Sequence, residues 1–208
     1  MTGSDLAREM TDTSTPTLLI VIASVREGRF GAEFGSWVAD RARRHNGFHV
    51  EVVDLADIEL PLALPASSPK IAGSDYPRPA GMAPLTRALE RADAILLVTP
   101  EYNHSYPASL KAAIDWHFTQ WAARPVAFAS YGGAAGGRHA ALHLENVLVE
   151  LHAVPLRDSV ALVNYFTAWS DGAPTDPGTE VAITATLDRL AWWAPALRNA
   201  REAAPYPG

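Results

Sequence analysis

The chain contains no cysteine. Disulfides, thiolate zinc sites, iron–sulfur clusters and cysteine nucleophiles are therefore excluded, and any redox chemistry requires an imported cofactor. Charge is sparse. Asp, Glu, Lys and Arg make up 19% of the 208 residues and the net charge is −6, which argues against a nucleic-acid groove or an anionic membrane surface as the main partner. No apolar run approaches the length of a membrane-spanning helix. The opening MTGSDLAREMTDTST carries Asp5, Arg8, Glu9 and Asp12 and lacks the apolar centre of a signal peptide, so a cytoplasmic protein with no membrane partner is expected. Two nucleotide fingerprints are missing as well: there is no G-x-G-x-x-G, and no Gly-Lys-Ser/Thr of a Walker loop.

What is present is 48% hydrophobic residues, enough for one substantial core. Residues 1–15 are polar and aperiodic and read as a disordered lead-in, leaving 16–208 as a single domain. Leu18 to Ala23 is apolar on both faces and reads as a buried strand. Phe48–Val53, Ala94–Val98 and Val126–Ser130 read as further strands, with a fifth between Val154 and Val163. Helices are expected over Phe34–Arg44, Pro107–Trp121, around Ala141–Leu151, and from Asp176 to Ala200, with Pro195 kinking or ending the last. The six prolines of residues 61–84 read as a long loop. Strand–helix alternation implies an α/β fold: a five-stranded parallel sheet in the flavodoxin-like order 2-1-3-4-5, helices on both faces, ligands bound beyond the carboxyl ends of the strands.

Three segments fall at that end. Ser24-Val25-Arg26-Glu27-Gly28-Arg29-Phe30-Gly31 combines a hydroxyl, guanidinium groups, glycines and a helix start, a set suited to a terminal phosphate and also compatible with an ordinary glycine turn. Pro100-Glu101-Tyr102-Asn103 is framed by Pro100 and Pro107 and suits the edge and face of a planar heterocycle; Tyr102 and Tyr106 could equally be packing aromatics, and Glu101 a general base, a solvated charge or a helix cap. Tyr131-Gly132-Gly133-Ala134-Ala135-Gly136-Gly137 carries four glycines that can leave backbone groups uncovered. Together the segments fit a phosphorylated planar heterocycle. His139 and His143 have metal-ligand spacing, but Ala140 breaks the H-E-x-x-H pattern, so no metal is expected. His104 reads as a surface imidazole.

These residues resemble the NADPH-dependent FMN reductase family, which includes quinone, azo and chromate reductases. The likeness runs from about Leu18 to Pro155: the Ser-x-Arg of the first loop, Pro-Glu-Tyr-Asn with the following Tyr-Pro and Leu-Lys, Asp115-Trp116, and Ser130-Tyr131-Gly132-Gly133. The resemblance implies FMN as cofactor and NAD(P)H as co-substrate, a small-molecule electron acceptor, and a homodimer or dimer of dimers. It places the FMN phosphate at Ser24, Arg26 and Arg29–Gly31 (with Phe30 between), the isoalloxazine at Pro100, Glu101, Tyr102 and Asn103, and the flavin pyrimidine at Tyr131, Gly132 and Gly133. The flavin carries the chemistry in such proteins, so no protein catalytic residue is expected. A flavodoxin-type electron carrier, or a biosynthetic flavoenzyme with one dedicated metabolite, is the alternative. Trp116 and Trp121 are expected either at a helical dimer contact or in the subunit core. Two positions depart from the family's habit: Ala113 stands where Asn is common, and Ala123-Arg124-Pro125 where Gly-Lys-Pro is common.

Overall fold

The computed structural model describes residues 15–207; most of the expected lead-in lies outside them. Four long parallel strands form the sheet: β1 (Thr17–Ile22), β2 (His49–Asp54), β3 (Ala94–Pro100) and β4 (Pro125–Gly132). The order is β2-β1-β3-β4-β5, and a sixth strand, β6, also pairs with β4. The single fifth strand expected from the sequence is thus two short ones: β5 (Val154–Pro155) pairs with the start of β4 and β6 (Val160–Val163) with its end. Between them the Leu156 amide still donates to the Val126 carbonyl (2.8 Å), and the chain then leaves the ladder until Val160. A small hairpin of β7 (Trp169–Ser170) and β8 (Ala173–Pro174) follows.

Alternation along the strands divides the core in two. Leu18, Ile20, Ile22, Leu96 and Val98 face Phe34 and Val38 of α1 (Gly31–His45) and Ile183, Leu187 and Leu190 of α6 (Pro177–Ala203). Leu19, Val21, Ile95, Leu97 and Phe128 face the other layer, built by α3 (Ala83–Arg91), α4 (Ala108–Asp115) and α5 (Arg138–Glu150). A single turn, α2 (Pro69–Ala72), interrupts the proline-rich segment.

Three expectations are corrected. Helix α3 emerges from the end of the supposed loop, because Pro84 sits in its first turn, where a missing amide costs nothing. Helix α4 stops at Asp115 rather than Trp121, with Trp116 buried and its indole Nε1 donating to the Pro61 carbonyl (2.8 Å). Trp121 is 1% exposed within the subunit core, so neither tryptophan offers a dimer contact. Helix α6 runs through Pro195; one main-chain bond is lost there, but Leu190 and Ala194 stay buried on the sheet. Its end is tied to the far side of the fold. Arg201 donates to Asp93 Oδ1 (3.1 Å) and to the Ala123 carbonyl (2.7 Å), while Asp93 Oδ2 accepts the Thr17 amide (3.0 Å).

The departures from the family's Gly-Lys-Pro have local explanations. Ala123 has φ +51, the left-handed region that glycine enters freely, and its amide donates to the His152 carbonyl (2.8 Å). Arg124 donates through Nε to the Ala92 carbonyl (2.7 Å) and through Nη2 to that of Glu90 (3.1 Å), covering acceptors at the end of α3.

His117 follows α4 and is fully buried. Its Nδ1 lies 2.8 Å from the Ala113 carbonyl and its Nε2 2.8 Å from Thr86 Oγ1. A carbonyl only accepts, so the neutral ring donates through Nδ1 and takes the Thr86 hydroxyl proton at Nε2. Burial pushes its pKa from 6.5 down to about 4. The unfolded chain therefore binds more protons between those values, and this contribution to stability falls as pH drops from 6.5 to 4, levelling off below. The loss amounts to about 3 kcal/mol. Urea midpoints of wild type and His117→Gln across this window should converge as pH falls; parallel curves would show that His117 contributes no pH dependence.

Candidate functional site

Because β1, β3, β4 and β6 are parallel, their carboxyl ends lie on one edge of the sheet. The segments leaving that edge enclose a cavity of about 310 Å³. Its lining includes Ser24, Arg26, Arg29 and Phe30 from the first loop, Pro100, Glu101 and Tyr102 from the second, and Tyr131, Gly132 and Gly133 from the third. Ten of the twelve residues singled out in the sequence meet there. A larger hollow of about 530 Å³ lies between α5 and the β5–β6 turn, lined by no residue of the three segments.

The first loop presents two arginines with different employment. Arg26 is exposed and its side chain has no partner among the described residues. Arg29 is engaged: its Nη1 and Nη2 lie 2.8 and 2.7 Å from Asp54 Oδ2 at the end of β2. Helix α1 opens immediately afterwards without a side-chain cap at Phe30, so its first amides have no side-chain acceptor among the described residues. The Phe30 ring joins Tyr131 and Tyr165, which line the cavity with it, at centroid distances of 5.3 and 4.8 Å. Gly31 is not on the cavity wall. A Cβ there would stand 2.6 Å from the Tyr131 hydroxyl, so its role is to admit that phenol against the helix start. Burial raises the Tyr131 pKa above its ordinary value, with the nearby Ser24 hydroxyl acting in the opposite direction.

The second loop is fixed at both ends of its first half. The Glu101 amide donates to the Tyr131 carbonyl (3.0 Å), and the Tyr102 hydroxyl shares a hydrogen bond with Ser24 Oγ (2.9 Å). Tyr102 therefore bridges two loops. Glu101 crosses to α5, where Oε2 accepts the His139 amide (3.2 Å) and Oε1 lies 2.9 Å from His139 Nδ1; it caps the helix start from outside. Asn103 is exposed and does not line the cavity. With φ +51 it occupies a turn position that suits its short amide.

The third loop divides its glycines between two tasks. At Gly133 an added Cβ would meet nothing, which marks open space beside the backbone. At Gly137 it would strike Ser130 and Tyr131. The carbonyls of Gly132 and Gly133 are already taken, by the amides of Tyr165 (3.3 Å) and Asn164 (3.0 Å), so the backbone here is more fully employed than its composition suggests. Gly28, one of the first-loop glycines expected to serve the phosphate, also lines the cavity, as do Glu27 and Tyr165, which were not assigned a part. Tyr165 follows β6, and its place could have been found only by recognising that β6 runs beside the end of β4.

The chain is 35% identical over 123 residues to an NAD(P)H-dependent FMN reductase of Schizosaccharomyces pombe, a stretch covering 59% of this chain and 61% of that protein. It is 40% identical over 118 residues to a quinone reductase of Escherichia coli, covering 54% and 60%. The matched stretches thus span about three fifths of each relative's length. Among solved structures, a flavoenzyme NAD(P)H:(acceptor) oxidoreductase of Paracoccus denitrificans has a TM-score of 0.66 at 23% identity over 86% of this chain and 97% of that one, a likeness of fold. Residues 16–167, which hold every loop of the cavity, match the family described as NADPH-dependent FMN reductase, and the chain belongs to that family.

Proposed function

We propose that the protein is an FMN-dependent oxidoreductase that passes a hydride from NAD(P)H through bound flavin to a small acceptor such as a flavin, a quinone or an azo compound. The observation that carries this reading is the cavity itself: at one side an arginine and a helix start without side-chain partners among the described residues, at the other open space over a glycine backbone. The residues present fit FMN. Arg26 and the first amides of α1 would hold the phosphate. Ser24 and Tyr102, tied to each other, would set the width of the cleft. Pro100, Glu101 and Tyr102 would flank the ring, and Gly132 and Gly133 would let its edge approach the main chain. Arg29, committed to Asp54, would support the loop rather than bind the phosphate directly. FMN, when bound, supplies reversible hydride acceptance, and the protein supplies position and electrostatics.

The names of the relatives, FMN reductase and quinone reductase, support this choice of chemistry. Among the described residues no helix is long and apolar enough to cross a membrane; a cytoplasmic location remains part of the proposal because NAD(P)H is the proposed reductant. So does a homodimer, which cannot use Trp116 or Trp121; Val25 and Leu62, 51% and 80% exposed, are apolar side chains available to it.

The purified protein should show a flavin absorption spectrum, release FMN on heating, and consume NAD(P)H steadily when a quinone is supplied. Flavin binding without steady NAD(P)H consumption would favour an electron carrier. No binding after soaking with FMN would remove the proposal altogether.

A further inference from the structure

We propose that Glu101, His104 and His139 form a binding site for a divalent transition metal of the zinc class, at the rim of the cavity, sharing Glu101 with the proposed flavin site but not resting on that reading. The first observation is a backbone outlier. Tyr102 and Ser105 exchange both main-chain hydrogen bonds (2.8 and 3.0 Å), and the two residues between them have φ +51 and +62. This is the tight turn with two left-handed central residues, for which Asn-Gly is the favoured pair. The chain has Asn103 and then His104. An imidazole therefore sits where turn chemistry asks for glycine, and such an outlier motivates a search for what the side chain does.

The second observation is where that side chain lies. The His104 ring packs face to face on His139, with centroids 4.2 Å apart and planes within 7°. Glu101 holds His139 at the ring edge, its Oε1 2.9 Å from Nδ1. One ligand atom from each of the three residues lies within 4.8 Å of the others. Glu101 is 12% exposed in its side chain and His139 40%, so the carboxylate is sheltered while the imidazoles reach water. His143, one turn further along α5, is occupied by Ser105 Oγ (3.1 Å), leaving the remaining coordination positions to solvent.

Two imidazoles and a carboxylate are a set that binds zinc, with water completing the coordination; imidazole also suits copper and nickel. Tetrahedral coordination at about 2.0–2.1 Å places ligand atoms about 3.3 Å apart, inside the span now observed. The parallel rings do not yet aim their lone pairs at one point. Rotation about each Cβ–Cγ bond, a soft torsion, converts the stack into a converging pair as His139 exchanges its bond to Glu101 for the metal. A helix cap alone accounts for Glu101 and His139. It does not account for His104.

Calorimetric titration of zinc alone into wild type, His104→Gly and His139→Gln tests this. His104→Gly is the informative variant, because glycine relieves the turn while removing a ligand; it should fold with a thermal midpoint at or above that of wild type. Wild type should bind one zinc per chain, and His104→Gly should bind it more weakly by more than about tenfold, the low end of what losing even a supporting partner of a metal ligand costs. Magnesium, which prefers oxygen ligands, should give no comparable heat. Failure of wild type to saturate at one zinc, or equal affinity in His104→Gly, would overturn the proposal, the latter placing the metal on other histidines.

Discussion

Arg26→Ala is expected to weaken FMN binding by about ten- to a hundredfold and to leave riboflavin binding almost unchanged. A charge-assisted hydrogen bond is worth about 1.5–3 kcal/mol, and each 1.4 kcal/mol is about a factor of ten in affinity. Arg26 is open to water, which favours the lower end of that range. Riboflavin has the same ring and ribityl chain without the phosphate, so it reports the ring site alone. Arg29→Ala provides the contrast. Its guanidinium is held by Asp54, so its loss loosens the loop and should weaken both ligands to a similar degree. Titration of the two flavins into the three apoproteins reads both effects. An equal loss of FMN and riboflavin in Arg26→Ala would mean that the substitution damages the ring site, and no loss of either would move the phosphate elsewhere.

Gly137→Ala is expected to destabilise the fold by about 2–5 kcal/mol. The residue caps α5 with φ +87 and ψ 4, a conformation costing a side-chain-bearing residue about 1–2 kcal/mol. A Cβ would also stand 2.5 Å from Ser130 Cβ and 2.7 Å from the Tyr131 nitrogen. Neither neighbour can retreat. Ser130 is buried, its Oγ lies 2.9 Å from the Gly136 carbonyl and 3.2 Å from that of Val160, and Tyr131 lies in β4, in register with Pro100 and Leu162. Overpacking of this kind adds about 1–3 kcal/mol. Gly133→Ala meets no neighbour and should be nearly neutral to stability while obstructing the cavity. Urea denaturation compares the two; equal midpoints for Gly137→Ala and wild type would refute the close-packing account.

The sheet was legible because its central strands are apolar on both faces. Leu18 to Ile22 and Ala94 to Val98 are short, flanked by helical segments and apolar on both faces, as strands covered on both sides must be; alternation implies a parallel sheet, and five strands suit the order 2-1-3-4-5. Helix α3 was hidden by its own start signal: among six prolines, Pro84 looks like one more breaker. The end of α4 depended on Trp116 finding the Pro61 carbonyl, a long-range contact without a local trace. At the site, positions were readable and employment was not. Nothing near Arg29 in sequence announces Asp54, nothing near Glu101 announces His139, and the carbonyls of Gly132 and Gly133 are claimed by a loop more than thirty residues away in the chain, about the length of one strand–helix–strand unit. Residue type could nominate these groups, but only tertiary pairing decides which remain available.

The clamp between α6 and Asp93 has a consequence for the nascent chain. Asp93 must wait for a partner 108 residues later, which at ribosomal rates of roughly 5–20 residues per second means a delay on the order of 5–20 s. For most of that interval Leu18, Ile20 and Leu96 lack the cover of Ile183, Leu187 and Leu190, and part of one face of the sheet is presented to chaperones or to other growing chains. The opposite face closes sooner, as α3, α4 and α5 emerge. Every residue lining the cavity precedes α6 in order of synthesis, so the half-made protein carries its whole cleft on an open core.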